Sequence, residues 1–320
     1  MTSALDNPLS RGTPDGRCVP DTWQLGLGDE RARIAVVGCG GAGCNTLQHV
    51  ADSPNAVRIA MNDVMHRSMA GVSKRILLQS TSLHAYASMD DKAVPSMETD
   101  EEKAISAALL DRDAVFVLGG LGGELGGWGM SLVGRVARIL GDTSMGFATI
   151  PFGMEGPIRR QLAESQLQLL QKRLDGVVTF ANDGLLQIAR ELPLAKAFSA
   201  LGAIIARSAA HLSGALARPD VIPLRRTLGR ARDWRFGMGS GRDKHRCFVA
   251  VDEAYQSPWF TSLPEEISHA IVMMSVPTPA EETEILKEIR IRSPKSVLAW
   301  AQLPQPPGED RAVVEILAGT

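Results

Sequence analysis

From Arg33 onward, short uninterrupted apolar runs alternate with longer segments whose apolar positions recur at helical spacing. The first run, Ile34-Ala-Val-Val37, stops at Gly38 and suits a parallel strand buried on both faces. Similar runs at 57–61, 76–78, 114–118, 147–150 and 177–180 predict further strands. The intervening pattern predicts helices at 45–51, 100–110 and from about 126. Another runs from Pro157 toward Gly176, with leucines at 162, 167, 170 and 174. Thr99 followed by Glu102 is a capping box for the helix that begins at Asp100. Strands alternating with helices over 31–182 specify an α/β fold with a doubly wound parallel sheet, whose ligand site lies at the carboxyl ends of its strands.

Residues 193–217 read as one long, mostly apolar helix, a strut between domains. After a basic stretch the pattern predicts a helix at 248–256, a strand at 270–276, a helix at 281–291 and strands at 296–301 and 312–318. That is a smaller α+β domain. The organisation expected is therefore a mobile tail at 1–30 containing Pro8, Pro14 and Pro20, a ligand-binding domain at 31–192, a connecting helix at 193–217 and a C-terminal domain at 218–320.

With 44% hydrophobic and 22% charged residues and a net charge of −2, the chain has ample material for a core and carries no global signal for nucleic acid. Its four cysteines, at 18, 39, 44 and 247, are too few to staple 320 residues, which fits a reducing cytoplasm. No apolar run approaches the roughly 20 residues of a membrane-spanning helix.

Gly38-Cys-Gly40-Gly41-Ala42-Gly43 follows a strand and opens a helix, where peptide N–H groups and the helix dipole can hold a phosphate. Alone it is a dinucleotide fingerprint, and Asp63, twenty residues past Gly43, stands where a ribose-binding acid is wanted. A dinucleotide-dependent oxidoreductase is thus one reading; another is that the glycines only let helix and strand pack. A second loop, Gly119 to Gly129, follows the strand ending at Leu118 and carries Gly119, Gly120, Gly122, Gly123, Gly126, Gly127 and Gly129. Two such loops converging at strand ends suggest a polyphosphate held from both sides.

At this point the sequence resembles the FtsZ/tubulin superfamily, over 33–320. Arg33-Ile-Ala-Val-Val-Gly-Cys-Gly-Gly-Ala-Gly-Cys-Asn45-Thr resembles the first FtsZ nucleotide loop, and Asp113-Ala-Val-Phe-Val-Leu-Gly-Gly-Leu-Gly-Gly123 the entry to the tubulin-signature loop. Pro151-Phe-Gly-Met-Glu155-Gly-Pro-Ile-Arg159, Ala181-Asn182-Asp183-Gly-Leu-Leu, Ser257-Pro258 and Trp300 match in order. The resemblance implies binding of GTP or GDP, with or without magnesium, and a filament-forming cytoskeletal role such as cell division. It places Gly40, Gly41, Ala42, Gly43 and Asn45 around the phosphates, with Gly122, Gly123, Gly126 and Gly127 opposite. Glu155 would accept from ribose hydroxyls, Arg159 would counter phosphate charge, and Asn182 and Phe198 would hold the base. Read singly, Phe198 is equally a core aromatic, and Glu155 with Arg159 a surface ion pair at helical spacing.

The sequence also departs from the family. Glu124 and Leu125 replace the signature's first threonine step and Trp128 stands at its end, so Leu125 and Trp128 must turn into the protein. Gly202 stands where the family places an Asp or Asn that reads guanine. After the long helix FtsZ carries an acid pair that positions the attacking water, whereas Arg218 to Arg232 holds one acid, Asp220. This chain is expected to be a GTPase of low activity at most, with no catalytic residue of its own and no protein metal site. A nucleotide-free scaffold of the same fold is the alternative. Between 218 and 246 nine Arg or Lys face three acids. Asp220, Arg225 and Arg226 would meet the next subunit in head-to-tail self-association or assembly with another FtsZ-like subunit. The run could equally dock an acidic partner or an anionic membrane surface, or be a solvated loop. Because the sequence stops at Thr320 just after a strand, recruitment of FtsZ membrane adaptors is not expected.

Overall fold

The structure is a computed structural model that describes residues 33–51, 56–79, 99–216, 227–305 and 310–320. The 1–30 tail and Asp220, Arg225 and Arg226 lie outside the described residues. Strands β1 (Ile34–Cys39), β2 (Ala56–Asn62), β3 (Lys74–Leu77), β4 (Ala114–Gly120), β5 (Thr143–Ile150) and β6 (Gly176–Ala181) are parallel, in the order β3-β2-β1-β4-β5-β6. Alternate residues of one strand serve opposite layers, as a doubly wound sheet requires. Ile34 and Val36 join Cys44 and Leu47 of helix α1 (Gly40–Leu47), whereas Ala35 and Val37 join Ile105 of α2 (Asp100–Leu109), Val133 of α3 (Glu124–Leu140) and Leu170 of α4 (Pro157–Arg173).

The predicted capping box is formed. Glu102 accepts from the Thr99 backbone N–H at 3.2 Å and its own N–H donates to the Thr99 hydroxyl at 3.2 Å. The same buried carboxylate meets Arg135 Nε at 2.8 Å, tying α2 to α3. Two expectations need correction. The first helix starts at Gly40 rather than near Asn45, because the glycine loop is itself the first helical turn. Gly176 is a strand residue rather than a helix terminator; a Cβ there would lie 2.5 Å from the Trp234 indole nitrogen.

A four-residue helix α5 (Leu185–Ile188) precedes the long helix α6 (Leu194–Leu216), which lies in the same core as β1 and β4, a core that also takes in Ile271, Met273, Ala299 and Leu317 of the C-terminal strands. Those strands are β7 (Asp233–Arg242), β8 (His269–Ser275), β9 (Val297–Gln302) and β10 (Arg311–Gly319), with helices α7 (Arg246–Tyr255) and α8 (Pro279–Arg292) covering their far side. Strand β7 falls inside the stretch that the pattern left as a basic run. Glycines at 237, 239 and 241 erase its apolar alternation, and they do so because α7 lies on them. A Cβ at those positions would come within 2.3, 2.1 and 2.0 Å of the carbonyl oxygens of Ala254, Ala250 and Arg246. Strand β7 pairs antiparallel with β10 and, over Val177 with Asp233 and Val178 with Trp234, parallel with β6. One ten-stranded sheet therefore runs through both halves among the described residues.

Candidate functional site

Five segments converge at the carboxyl ends of β1, β4, β5 and β6. In the first loop Cys39 precedes α1 and offers no side-chain cap, and the first turn holds no acid, so its N–H groups face outward beside the positive helix terminus. Gly40 has φ +67°, a left-handed conformation that glycine takes without strain. Gly41, Ala42 and Asn45 are exposed. The glycines differ in purpose. A Cβ on Gly41 would meet nothing within 4 Å, whereas one on Gly43 would sit 2.2 Å from the Leu118 carbonyl oxygen. Gly43 therefore lets α1 pack on β4, and Gly41 leaves room for a ligand.

The second loop divides in the same way. Gly123 opens on free space, while Gly126 is held against the Gly120 carbonyl oxygen, where a Cβ would come within 2.0 Å, and Gly127 against the Gln166 side chain at 2.2 Å. The loops touch each other, since a Cβ on Gly40 would lie 3.0 Å from the Gly126 nitrogen. Gln166, fully buried on α4, staples the second loop: the Gly122 N–H donates to its Oε1 at 2.8 Å and its Nε2 donates to the Gly123 carbonyl at 2.8 Å. Leu125 and Trp128 pack against the core beneath, as the replaced signature requires, and Glu124 is exposed in the first turn of α3, at the end of the helix that favours a carboxylate.

Glu155 closes a single helical turn by accepting from the Phe152 N–H at 2.7 Å, and its other oxygen pairs with Arg159 at 2.9 Å. Arg159 also lies against Gly122, where a Cβ would approach its Cγ within 2.8 Å. After β6, Asp183 accepts from the Gly153 N–H at 3.2 Å, so the turn carrying Asn182 is bound to the turn carrying Glu155. Asn182 is 7% exposed, and its Oδ1 is buried with no hydrogen-bond partner among the described residues. Unsatisfied acceptors of this kind are costly and mark a place where a donor is expected. Phe198 is 41% exposed and meets Phe152 edge to face at 5.8 Å, so it is not an interior core aromatic.

The pattern alone missed two neighbours. His49 lies over Gly202, where a Cβ would sit 3.1 Å from its ring, and its Nε2 is 3.4 Å from the Ser199 hydroxyl; burial lowers the pKa of this imidazole. The other is Gln166. Its one signal is its register, a polar residue at the core spacing of Ala163 and Leu170. Within the basic run, Arg232 donates to the Leu174 carbonyl at 2.8 Å, Arg235 pairs with Asp233 at 2.6 Å, and Arg246 pairs with Glu281 and Asp310. The described part of that run is built around β7, with Arg230, Arg242 and Lys244 exposed.

An uncapped helix terminus, two open glycines, an arginine and an orphaned buried amide oxygen fit a nucleotide carrying several phosphates. Residues 33–190 match the tubulin/FtsZ family, GTPase domain. The chain is 31% identical over 254 residues to the cell division protein FtsZ of Haloferax mediterranei, covering 76% of this chain and 67% of that one. Its fold is that of an FtsZ dimer structure from M. jannaschii, at TM-score 0.77 and 24% identity over 91% of this chain and 88% of that one. It is also that of a GTPγS-bound CetZ2 protofilament from Haloferax volcanii, at TM-score 0.70 and 16% identity over 90% and 92%. Both glycine loops lie within the residues matched to the GTPase domain, and this chain belongs to the tubulin/FtsZ family.

Proposed function

We propose that this chain is a cytoskeletal subunit that binds GTP or GDP weakly at the paired loops, assembles head to tail with itself or with another FtsZ-like subunit, and hydrolyses nucleotide slowly or not at all. The buried Oδ1 of Asn182 at the carboxyl end of β6, without a partner among the described residues, carries the reading. In it, the α1 N-terminus and Gly41 receive phosphate oxygens, Arg159 offsets their charge, Glu155 accepts from the ribose, and Asn182 and Phe198 hold the base. Bound GTP supplies a phosphoanhydride whose hydrolysis is coupled to assembly. Among the described residues no three metal-ligating side chains cluster, so magnesium accompanying the nucleotide would take its ligands from phosphate and water.

Weak binding is supported by two features. The Gly122 N–H is already committed to Gln166, and Glu124 brings a negative charge to the second loop. These same features favour the alternative, a scaffold that holds no nucleotide. Slow turnover is supported by the lone acid, Asp220, in a segment that elsewhere in the family supplies two; positioning and proton transfer contribute roughly 10²–10⁴-fold.

Equilibrium binding of GTP, ATP and NAD to the purified protein tests the reading. GTP binding with phosphate release far below that of an FtsZ holding both acids supports it, no nucleotide binding supports the scaffold, and NAD alone binding overturns both. Charge reversal of Arg225 and Arg226 to Glu, followed by pelleting with GTP and with anionic liposomes, separates a subunit contact from a membrane contact.

A further inference from the structure

The base side of the site is held from outside its own domain. Trp259, 4% exposed on the segment that follows α7, donates its indole N–H to the Ala181 carbonyl at 2.9 Å, across 78 residues of chain. The indole also presses on the next turn of backbone. A Cβ on Gly184 would lie 2.6 Å from its nitrogen and 3.1 Å from its ring carbon Cε2, so only glycine fits there. Ala181 and Gly184 flank Asn182 and Asp183, and the ring is therefore in contact with both ends of the turn that carries them. Beneath it Phe180 and Phe236, from β6 and β7, approach the indole at 5.8 and 6.5 Å.

From Trp259 we infer a positioning residue for the nucleotide base, one that makes recognition at Asn182 depend on the C-terminal lobe. This rests on the nucleotide reading above. In that reading Asn182 holds its amide oxygen toward the ligand, and no hydrogen bond from the described residues fixes it, so its aim depends on the backbone of the turn. That backbone is pinned by three groups: the indole N–H at Ala181, the indole face at Gly184, and the Asp183 carboxylate at the Gly153 N–H. Two of the three belong to Trp259. The segment that bears it is itself anchored, because the Ser257 N–H donates to the Ala254 carbonyl at 3.3 Å, and α7 lies directly on the glycines of β7. Through Asp183 and Gly153 the same restraint reaches the turn of Glu155, whereas no such link reaches Gly41. The base and ribose contacts should therefore feel Trp259, and the phosphate contacts at Gly41 should not; Arg159, paired with Glu155 through a half-exposed side chain, stands between the two.

The test is Trp259→Phe, which keeps an aromatic filler and removes the donor. GTP affinity and the affinity for inorganic tripolyphosphate, which carries no base, are measured on wild type and variant. Loss of one neutral hydrogen bond predicts roughly a 3–10-fold fall in GTP affinity, with tripolyphosphate affinity unchanged. A folded variant that weakens both probes equally would overturn the inference, as would GTP affinity equal to wild type. Trp300→Phe, on the exposed face of strand β9, serves as the control and should leave both affinities unchanged. If Trp259→Phe fails to fold, Gly184→Ala displaces the same indole from the other side and must give the same split. A wild-type chain that binds no GTP would remove the nucleotide reading and this inference with it; wild-type binding matched by the variants removes the inference alone.

Discussion

Glycines that look alike in sequence have opposite duties, and this makes two neighbouring substitutions separable. Gly41→Leu should leave the melting temperature nearly unchanged and abolish nucleotide binding, because its side chain would enter only open space. Gly43→Ala should instead destabilise the fold by about 1–3 kcal/mol, as overpacking does, because its Cβ meets the Leu118 carbonyl. Urea unfolding together with a binding assay distinguishes them; equal effects on stability would contradict the assignment. Spacing announced a glycine loop but not this division, since the deciding carbonyl is 75 residues away in sequence. A second residue-scale effect concerns Asp142. Burial first, and the nearby Asp113 charge second, raise its carboxyl to about 6, and its Oδ2 is buried without a partner among the described residues. An acid raised in the folded state favours folding while protonated, and that contribution is lost as pH rises through about 6. Asp142→Asn should therefore gain melting temperature relative to wild type above about pH 6, with the gap narrowing in acid.

Among the elements, the central parallel strands β1 and β4 were legible because each is a continuous apolar run buried on both faces, whereas the edge strand β3 carries Lys74 and Arg75 and shows only its short Ile76–Leu77 end. Strand β7 was not, and the reason is physical. A strand on which a helix rests backbone to backbone must surrender side chains on that face, and with them the pattern by which strands are recognised. Gly239→Ala should accordingly cost stability well beyond the usual change of strand propensity, since its Cβ would lie 2.1 Å from the Ala250 carbonyl oxygen. Thermal unfolding measures this; a neutral outcome would mean that α7 can lift from the strand. At the second loop, Gln166→Leu removes the acceptor for the Gly122 N–H and the donor for the Gly123 carbonyl. The expected cost is about 1–3 kcal/mol, two hydrogen bonds at roughly 0.5–1.5 kcal/mol each between part-buried groups, read by chemical denaturation.

The molecule as a whole is joined through α6 as well as through the sheet. On β10, Glu315 is fully buried and faces α6, with His211 Nδ1 at 3.0 Å and Arg207 Nε at 3.4 Å. Burial pushes the Glu315 carboxyl up, but His211 and Arg207 together outweigh it and hold the group below the ordinary glutamate range. A depressed carboxyl contributes stability above its unfolded pKa and loses it as pH falls through the folded value. Glu315→Gln should cost roughly 3 kcal/mol near neutrality, the lower end for breaking a buried pair because Arg207 is part exposed, and should converge with wild type in acid. Denaturant titrations at two pH values decide this. The junction between β6 and β7 has a further, mechanical consequence. Strands β7 and β10 are laced along nine residue pairs, but among the described residues the ladder between β7 and β6 holds just two, Val177 with Asp233 and Val178 with Trp234. In the assembly proposed above, tension would load that short ladder together with the side chains that cross it, Phe180 on Phe236 at 5.2 Å and Arg235 on Thr179. Two pairs are the fewest between any neighbouring strands of the sheet among the described residues, so pulling is expected to part the sheet there first, with α6 still linking its two sides.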